Sequence, residues 1–211
     1  HEICQRARER DILTIVDGAH VPGQIPLNIS EMDPDVYIAA CHKWLCAPKG
    51  SSFLYVRKSY QIKVKPLVVS WGSEGTDPSG SPFLLENQWQ GTRDMSAFLT
   101  VPAAIEFQKK NNWNKLTVSC RHLVRETRER LDEYFTLNHL CSNTEEWLGQ
   151  MASVELPIEE PEKFKIALMK KYSIEVPVFL WKDKIFLRYS FNVYNSQQDA
   201  ELLVYALRKL V

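Results

Sequence analysis

The chain has 211 residues, of which 45% are hydrophobic and 25% are charged, a composition typical of a globular protein. Lysine and arginine together number 26, as do aspartate and glutamate, which argues against a basic surface for nucleic acid or for a membrane. No apolar run approaches the length of a membrane span. The five cysteines are odd in number and scattered, which predicts reduced thiols in a cytoplasmic protein.

The first half of the sequence predicts alternating helices and strands. The chain begins at His1 inside a helical pattern over residues 2–10, so we expect that an N-terminal piece precedes it. Short apolar, β-branched runs predict three strands, the first of them buried and parallel: Ile12–Val16, Val36–Ala40 and Ser52–Val56. The glycine-rich stretch WGSEGTDPSGSP, residues 71–82, predicts a flexible surface loop or an interface segment.

The second half predicts one more helix, a long amphipathic helix and then a small mixed unit. The helices are expected over residues 96–110, with Pro102 near the first turns or at a kink, and over residues 115–137. Strand patterns follow at residues 153–156, 176–180 and 184–190. A final helix is expected near Ser196, with Asp199 as a partial capping signal. This order favours an α/β fold class.

An acid, a histidine and a lysine are predicted to meet at one rim of the first sheet. Asp17 ends one predicted strand, and His42 and Lys43 follow the next. Ligand-binding residues of open α/β sheets gather at the carboxyl ends of strands. A lysine beside the apolar Trp44 can be partly desolvated, as an amine nucleophile requires. A Schiff-base lysine with an aspartate opposite a pyridinium nitrogen is what pyridoxal phosphate chemistry requires.

Two other interpretations of these residues stay open. Taken singly, each is commonly structural: the aspartate as a turn or cap residue and the lysine as a solvated side chain. A metal site is the second alternative, since His20, Cys41, His42 and Cys46 are suitable ligand types. Their spacing does not match a paired C-x2-C site, and adjacent residues on a strand point apart, so this interpretation is less favoured.

Four ordered motifs resemble the class V aminotransferases, pyridoxal phosphate enzymes of fold type I, and most of all their isopenicillin N epimerase-like branch. The motifs are TIVDGAHVPGQIPLN, HKWLCAPKGSSFLYV, WQGTRDMSAFLTVPAAIEF and EVPVFLWKDKIFLRYSFNVYN. The resemblance runs through essentially the whole chain. It implies that residues 1–114 are the C-terminal part of the cofactor-binding large domain, and that residues 115–211 are a linking helix and a small C-terminal α/β domain.

The resemblance also implies roles for the residues around the cofactor. Lys43 would form the Schiff base with pyridoxal 5'-phosphate and shuttle the α-carbon proton. Asp17 would pair with the pyridine nitrogen, His20 would lie near the phenolic oxygen, and His42 would approach the phosphate. Many relatives carry a polar phosphate contact three residues before the lysine, where this chain has Ala40.

Three further residues gain roles by resemblance. Gly91 and Thr92 would reach the phosphate of the neighbouring subunit's cofactor, which implies a homodimer. Arg188 would hold the substrate α-carboxylate through a bidentate contact. Complete family members are longer, and their N-terminal half supplies the phosphate-cradling loop and a ring-stacking aromatic. This chain resembles the C-terminal half, so a separate N-terminal piece is an expected partner.

The reaction type stays open among epimerisation, C–S lysis and transamination of a small amino-acid substrate. Cysteine desulfurase chemistry is less favoured, because residues 174–178 carry no cysteine and Cys141 is the only loop candidate. A second hypothesis is a non-catalytic chain, either a partial subunit that scaffolds a partner or a degenerate homologue. Fold and cofactor alone do not choose among these, because one fold serves many substrates.

Overall fold

A computed structural model describes residues 1–75, 80–135 and 137–211 of the chain. Part of the expected loop at 71–82, residues 76–79, therefore lies outside the described residues. The chain divides into two compact units, residues 1–111 and residues 112–211. Both units combine helices with a three-stranded sheet, so the predicted α/β class is confirmed.

The first unit is built on strands in the order β1-β2-β3. Its elements are α1 (Glu2–Arg8), β1 (Ile15–Asp17), α2 (Ile29–Met32), β2 (Val36–Ala40), β3 (Ser52–Val56), 3-10 turns at Lys58–Lys63 and Trp71–Ser73, α3 (Pro82–Gln88), α4 (Ser96–Leu99) and α5 (Val101–Lys110). Strands β1 and β2 are parallel, with Ile15 opposite Val36, and β3 is antiparallel to β2. The carboxyl ends of β1 and β2 therefore share one edge.

The first strand begins later than the sequence predicted. Before Ile15, the backbone N–H and the hydroxyl of Thr14 both donate to the carboxylate of Asp35, at 2.9 and 3.0 Å. The N–H of Thr14 is thus taken by a side chain, while its carbonyl still accepts from the N–H of Val36 at 2.9 Å. Strand β1 covers Ile15–Asp17 and not Ile12–Val16.

The second unit packs helices against an antiparallel sheet of strand order β4-β6-β5. Its elements are α6 (Trp113–Asp132), β4 (Met151–Leu156), α7 (Pro161–Tyr172), β5 (Val178–Trp181), β6 (Lys184–Ser190) and α8 (Gln197–Leu210). Alternate strand residues, among them Val154 and Leu187, are fully buried against apolar side chains of the helices such as Leu131, Leu168 and Leu207. One face of the sheet thus builds the core.

Local chemistry explains several helix boundaries. The predicted start of α8 is confirmed: Ser196 and Asp199 form a capping box, with each side chain bonded to the other's backbone N–H. The single helix expected over residues 96–110 is instead two, α4 and α5, which meet at Thr100. Pro102 lies in the first turn of α5, where its missing N–H costs no helical hydrogen bond.

Two helices of the second unit differ from expectation. The long helix α6 ends at Asp132, earlier than the expected residue 137. Helix α7 was not predicted, although Phe164 and Leu168 are buried four residues apart among lysines. Among the described residues, no helix combines the length and the apolar character that crossing a membrane requires.

Candidate active site

Because β1 and β2 are parallel, the loops that follow them begin at the same edge of the first sheet. Asp17 is the last residue of β1, and Lys43 follows β2 after two loop residues. The chain leaves β1 still bonded to β2, because the N–H of Gly18 donates to the carbonyl of Ile38 at 2.8 Å. Asp17 then accepts a hydrogen bond from the N–H of Ala19 at 2.9 Å, which closes the turn and leaves the carboxylate exposed.

His20 is the centre of the candidate site. Its Nε2 lies 3.0 Å from Nζ of Lys43, and its Nδ1 accepts from the indole Nε1–H of Trp44 at 3.1 Å. Both contacts are partly buried and join positions more than 20 residues apart in sequence. The structure thereby places the predicted His20 and Lys43 in direct contact.

Backbone packing holds the two loops against each other. Gly23 has φ +84°, and a Cβ built on it would overlap the carbonyl group of Trp44. Glycine suits this position because it lacks a Cβ and accepts positive φ. The same Trp44 carbonyl accepts a hydrogen bond from Nε2 of Gln108 on α5 at 2.8 Å, and Nε2 of Gln24 donates to the carbonyl of His20 at 2.7 Å. The loops are therefore fixed by glycine and amide contacts.

The lysine lies in a tight turn. The N–H of Cys46 donates to the carbonyl of Lys43 at 3.1 Å, and the N–H of Ala47 donates to the carbonyl of Cys41 at 3.0 Å. Cys46 has φ +61°, which is uncommon for a residue other than glycine. The turn leaves the Lys43 side chain half-buried while Trp44 is buried.

A buried tyrosine packs against the start of the loop that follows β1. Tyr37 of β2 is fully buried, and its ring lies so close to Gly18 that any side chain there would overlap it. Within the described ranges, no hydrogen-bond partner reaches its hydroxyl. Burial, and secondarily the negative charge of Asp17, raise the pKa of Tyr37 above its ordinary value. The residue after the aspartate must therefore be small.

Other predicted site residues are not joined to Lys43 by the contacts of the described residues. His42 is exposed to solvent. Gly91 and Thr92, which lie between α3 and α4, are exposed as well. Arg188 belongs to the second unit, on β6, where it is half-buried and pairs in register with Ser153 of β4. Within residues 1–75, 80–135 and 137–211, no ion pair involves the Arg188 guanidinium.

The described residues do not form the ligand cluster that the alternative metal interpretation requires. Across these ranges no three His, Cys, Asp or Glu side chains gather closely enough to hold an ion. Cys41 is buried, and burial raises the pKa of its thiol, whereas His42 is exposed.

Three residues for which the sequence predicted no site role help to build the site: Trp44, Gly23 and Gln108. Trp44 appeared only as an apolar neighbour of the lysine. A glycine three residues after His20 was the available signal for a close backbone approach. Gln108 lies 64 residues from Trp44, and nothing in its local pattern indicates the contact.

Comparison with known proteins defines the class of the chain. The model of the family described as Aminotransferase class-V matches residues 1–203. The chain therefore belongs to the class V aminotransferase family, as the motifs predicted. It is 34% identical over 218 residues to isopenicillin N epimerase of Amycolatopsis lactamdurans, covering 99% of this chain and 55% of that protein.

Other similar proteins include an L-cysteine desulfhydrase of a plant. The chain is 30% identical over 237 residues to an L-cysteine desulfhydrase of Arabidopsis thaliana, covering 100% of this chain and 50% of that protein. The chain thus spans about half the length of the curated relatives that it matches.

Solved structures confirm the fold. The apo cysteine desulfurase of Thermococcus onnurineus NA1 superimposes with a TM-score of 0.80 at 21% identity, covering 100% of this chain and 55% of that chain. A C-DES mutant with glycine covalently linked to its PLP cofactor superimposes with a TM-score of 0.78 at 16% identity, with the same coverage. These structures show the predicted fold of pyridoxal phosphate enzymes, of which the chain forms a part.

The residues at the sheet edge fit the cofactor of this family. Lys43 offers an amine that lies 3.0 Å from Nε2 of His20 and, within the described ranges, forms no ion pair with a carboxylate, as a carbonyl-binding amine should. Asp17 offers an exposed carboxylate on the neighbouring strand end, suited to a protonated ring nitrogen. The chemistry of this donor set agrees with pyridoxal 5'-phosphate, the predicted cofactor.

Proposed function

We propose that this chain is the lysine-bearing part of a pyridoxal phosphate enzyme that acts at the α-carbon of an amino acid or an amino-acid derivative. The observation that carries the proposal is the placement of Lys43. Its amine lies 3.0 Å from His20, beyond the carboxyl end of β2 and beside the strand that ends in Asp17. Ligands of open α/β sheets bind at this edge.

Each residue at the edge has a distinct task. When bound, pyridoxal phosphate supplies an electron sink for negative charge at the α-carbon. Lys43 would hold the cofactor covalently until the substrate amine displaces it, and its freed Nζ would then take or return the α-carbon proton. The carboxylate of Asp17 would keep the ring nitrogen protonated through its charge. His20 would orient the phenolic oxygen, and the exposed imidazole of His42 would contact the phosphate.

Arg188 recognises the substrate. Its guanidinium lies on the face of the second sheet that carries Ser153, and it has no ion-pair partner among the described residues, so it is available to a ligand. A guanidinium binds a carboxylate through two parallel N–H···O bonds, which fixes orientation as well as charge. We assign it to the substrate α-carboxylate. Residues 1–114 then serve as the cofactor-binding domain and residues 115–211 as the small domain.

The functional assembly that we propose is a homodimer together with the N-terminal part of the enzyme. Gly91 has φ +97° and open space around it, and Thr92 beside it is exposed, which suits a turn that approaches a phosphate from a second subunit. The five cysteines are all free thiols, which fits a reducing cytoplasmic location.

Epimerisation and C–S bond cleavage are the reactions that the relatives favour over transamination. The two relatives described above are named as an epimerase and as an L-cysteine desulfhydrase. The products separate the three reactions. Epimerisation changes the optical rotation of a chiral amino acid without consuming it. C–S lysis of cysteine releases sulfide, and transamination consumes an added keto acid.

Covalent capture of the cofactor tests the assignment. Full-length protein is loaded with pyridoxal phosphate, reduced with borohydride and digested, and the modified peptide is identified by mass. We expect the label on Lys43 and its loss in Lys43→Ala. The matched control is Lys49→Ala, an exposed lysine in the same loop, which should retain the label. A label elsewhere, or no visible absorbance band in the full-length protein, would overturn the proposal.

A further inference from the structure

We propose that Trp44 is a positioning residue that fixes the ring proton of His20 on Nε2, so that His20 donates a hydrogen bond to the lone pair of the Lys43 amine. The contact chain runs from the indole Nε1 to Nδ1 at 3.1 Å and from Nε2 to Nζ at 3.0 Å. The catalytic role of this contact chain rests on the function proposed above. The tautomer of His20 follows from the contacts alone.

The indole determines the tautomer of His20. A tryptophan N–H is a donor only, so Nδ1 of His20 must offer its lone pair. A neutral imidazole carries one ring hydrogen, which therefore lies on Nε2. The doubly protonated ring is incompatible with this contact, because its Nδ1–H would face the indole N–H. The hydrogen bond that one ring nitrogen makes thus sets the state of the other.

The tautomer in turn determines which group donates to Lys43. An ammonium group has three donors and no acceptor, so it cannot accept from Nε2–H. At 3.0 Å the contact between Nε2 and Nζ is a hydrogen bond only if Nζ provides its lone pair. The geometry therefore corresponds to the free amine, which is the nucleophilic form that attacks a carbonyl.

The protein holds the indole firmly enough for this role. The Trp44 residue is only 7% exposed, and its carbonyl is bonded to Gln108. The backbone of Gly23 packs against the same carbonyl. These two contacts fix the backbone of Trp44, and burial restricts the rotation of its indole. Of the other titratable side chains of the two loops, Asp17, His42, Cys46 and Lys49 are exposed, and the thiol of Cys41 is buried.

The tautomer can be measured directly in the cofactor-free full-length protein. With ¹⁵N-labelled histidine, long-range ¹H–¹⁵N correlations distinguish an Nε2–H ring from an Nδ1–H ring. The His20 signals are assigned by their loss in His20→Gln. We expect only the Nε2–H pattern in the native protein and an average of both tautomers in Trp44→Phe. Trp113→Phe, which changes another buried indole, is the matched control.

A second readout follows the amine itself. We expect Trp44→Phe to capture pyridoxal phosphate at least about tenfold more slowly than the native protein near pH 7.5, in keeping with the worth of a positioned proton-transfer group. Near pH 10.5 the rates should approach each other, because a large share of any ordinary lysine amine is free at that pH whatever donates to it. A purely structural defect would slow capture equally at both pH values.

These measurements separate the possible failures. An Nδ1–H pattern in the native protein, or an unchanged pattern in Trp44→Phe, would overturn the role of Trp44. Equal slowing at both pH values would also overturn it. If no variant, the native protein included, captures the cofactor while the Nε2–H pattern is present and depends on Trp44, the proposed function fails and the tautomer assignment stands.

Discussion

Arg57 joins Asp35 across the first sheet, with its Nε 2.9 Å from the Asp35 carboxylate. Asp35 precedes β2 and Arg57 follows β3, so the pair closes the end of the sheet opposite to Lys43. Asp33 accepts a second bond from the same guanidinium, and Thr14 donates to Asp35 from the start of β1. The cluster therefore ties all three strands together.

We predict that Asp35→Asn lowers the free energy of unfolding by about 2 kcal/mol at pH 7, the usual worth of a hydrogen bond to a charged group. Burial disfavours the charged carboxylate, but the bonds from Thr14 and Arg57 outweigh it, so the pKa of Asp35 is lowered. A group with a lowered folded-state pKa stabilises above its unfolded pKa of about 4, and the contribution is lost as pH falls through the folded value.

Urea titrations over a pH series measure this contribution. The difference between the native protein and Asp35→Asn should be constant above about pH 5 and shrink below about pH 4. Glu106→Gln, which alters an exposed carboxylate on α5, should show little difference throughout. A gap that grows with acidity would contradict the assigned direction.

Gly23→Ala should be more damaging than Gly50→Ala, although both glycines have positive φ. A Cβ at Gly23 overlaps the Trp44 carbonyl, whereas the nearest atom at Gly50 is 3.9 Å away. Backbone strain costs about 1–2 kcal/mol in either case, and the overlap adds about 1–3 kcal/mol at Gly23. Thermal unfolding measures the difference, and equal losses would show that the two loops move apart freely.

Arg128→Met should destabilise the second unit strongly. Arg128 is 1% exposed, its Nε donates to Nδ1 of His139 at 3.0 Å, and its guanidinium donates to the carbonyl of Cys141 at 2.6 Å. Methionine preserves much of the volume but leaves these acceptors without their donor. We expect a loss of about 2–4 kcal/mol in urea unfolding.

The same variant should expose the thiol of Cys141, because the segment around it loses its anchor. Labelling with a thiol reagent would then proceed faster than in the native protein. Arg130→Met is the control, since Arg130 makes partly exposed pairs with Glu126 and Glu201 that contribute at most about 1 kcal/mol. Identical effects of the two substitutions would contradict a special role for the buried guanidinium.

Arg188→Lys should reduce kcat/KM for an amino-acid substrate by about 10–100-fold, because lysine keeps the charge and loses the bidentate geometry. The assay uses the full-length protein loaded with cofactor. The corresponding amine, which lacks the α-carboxylate, is the control ligand and should bind both proteins equally. A matching loss of affinity for the amine would remove Arg188 from carboxylate recognition.

Sequence patterns predicted the strand and helix boundaries that are set by residues close together in the chain. Strand β6 was expected at the residues where it lies, and the Ser196–Asp199 cap was read from spacing alone. The hydrogen bond from Thr14 to the Asp35 side chain, 21 residues away, lies just before β1, and no local pattern reveals it. Helix α7 was missed because its few buried residues are separated by lysines.

The same distinction applies to the site. Asp17 and Lys43 were predicted from strand ends and His20 from the family motifs, since these are features of the chain itself. The contacts of His20 with Trp44 and Lys43 arise only when two loops pack, and the packing depends on the backbone of Gly23. Side-chain partners across a sheet edge are a product of the fold and not of neighbouring sequence.

The order of strands in the second unit has a consequence for how the protein is made. The central strand β6 comes last in the chain, after both of its neighbours β4 and β5. During synthesis neither neighbour has its strand partner until Ser190 has left the ribosome, and α8 must still follow to cover the core. Chains that stop before residue 184 should therefore expose two unpaired strand edges, which are templates for aggregation.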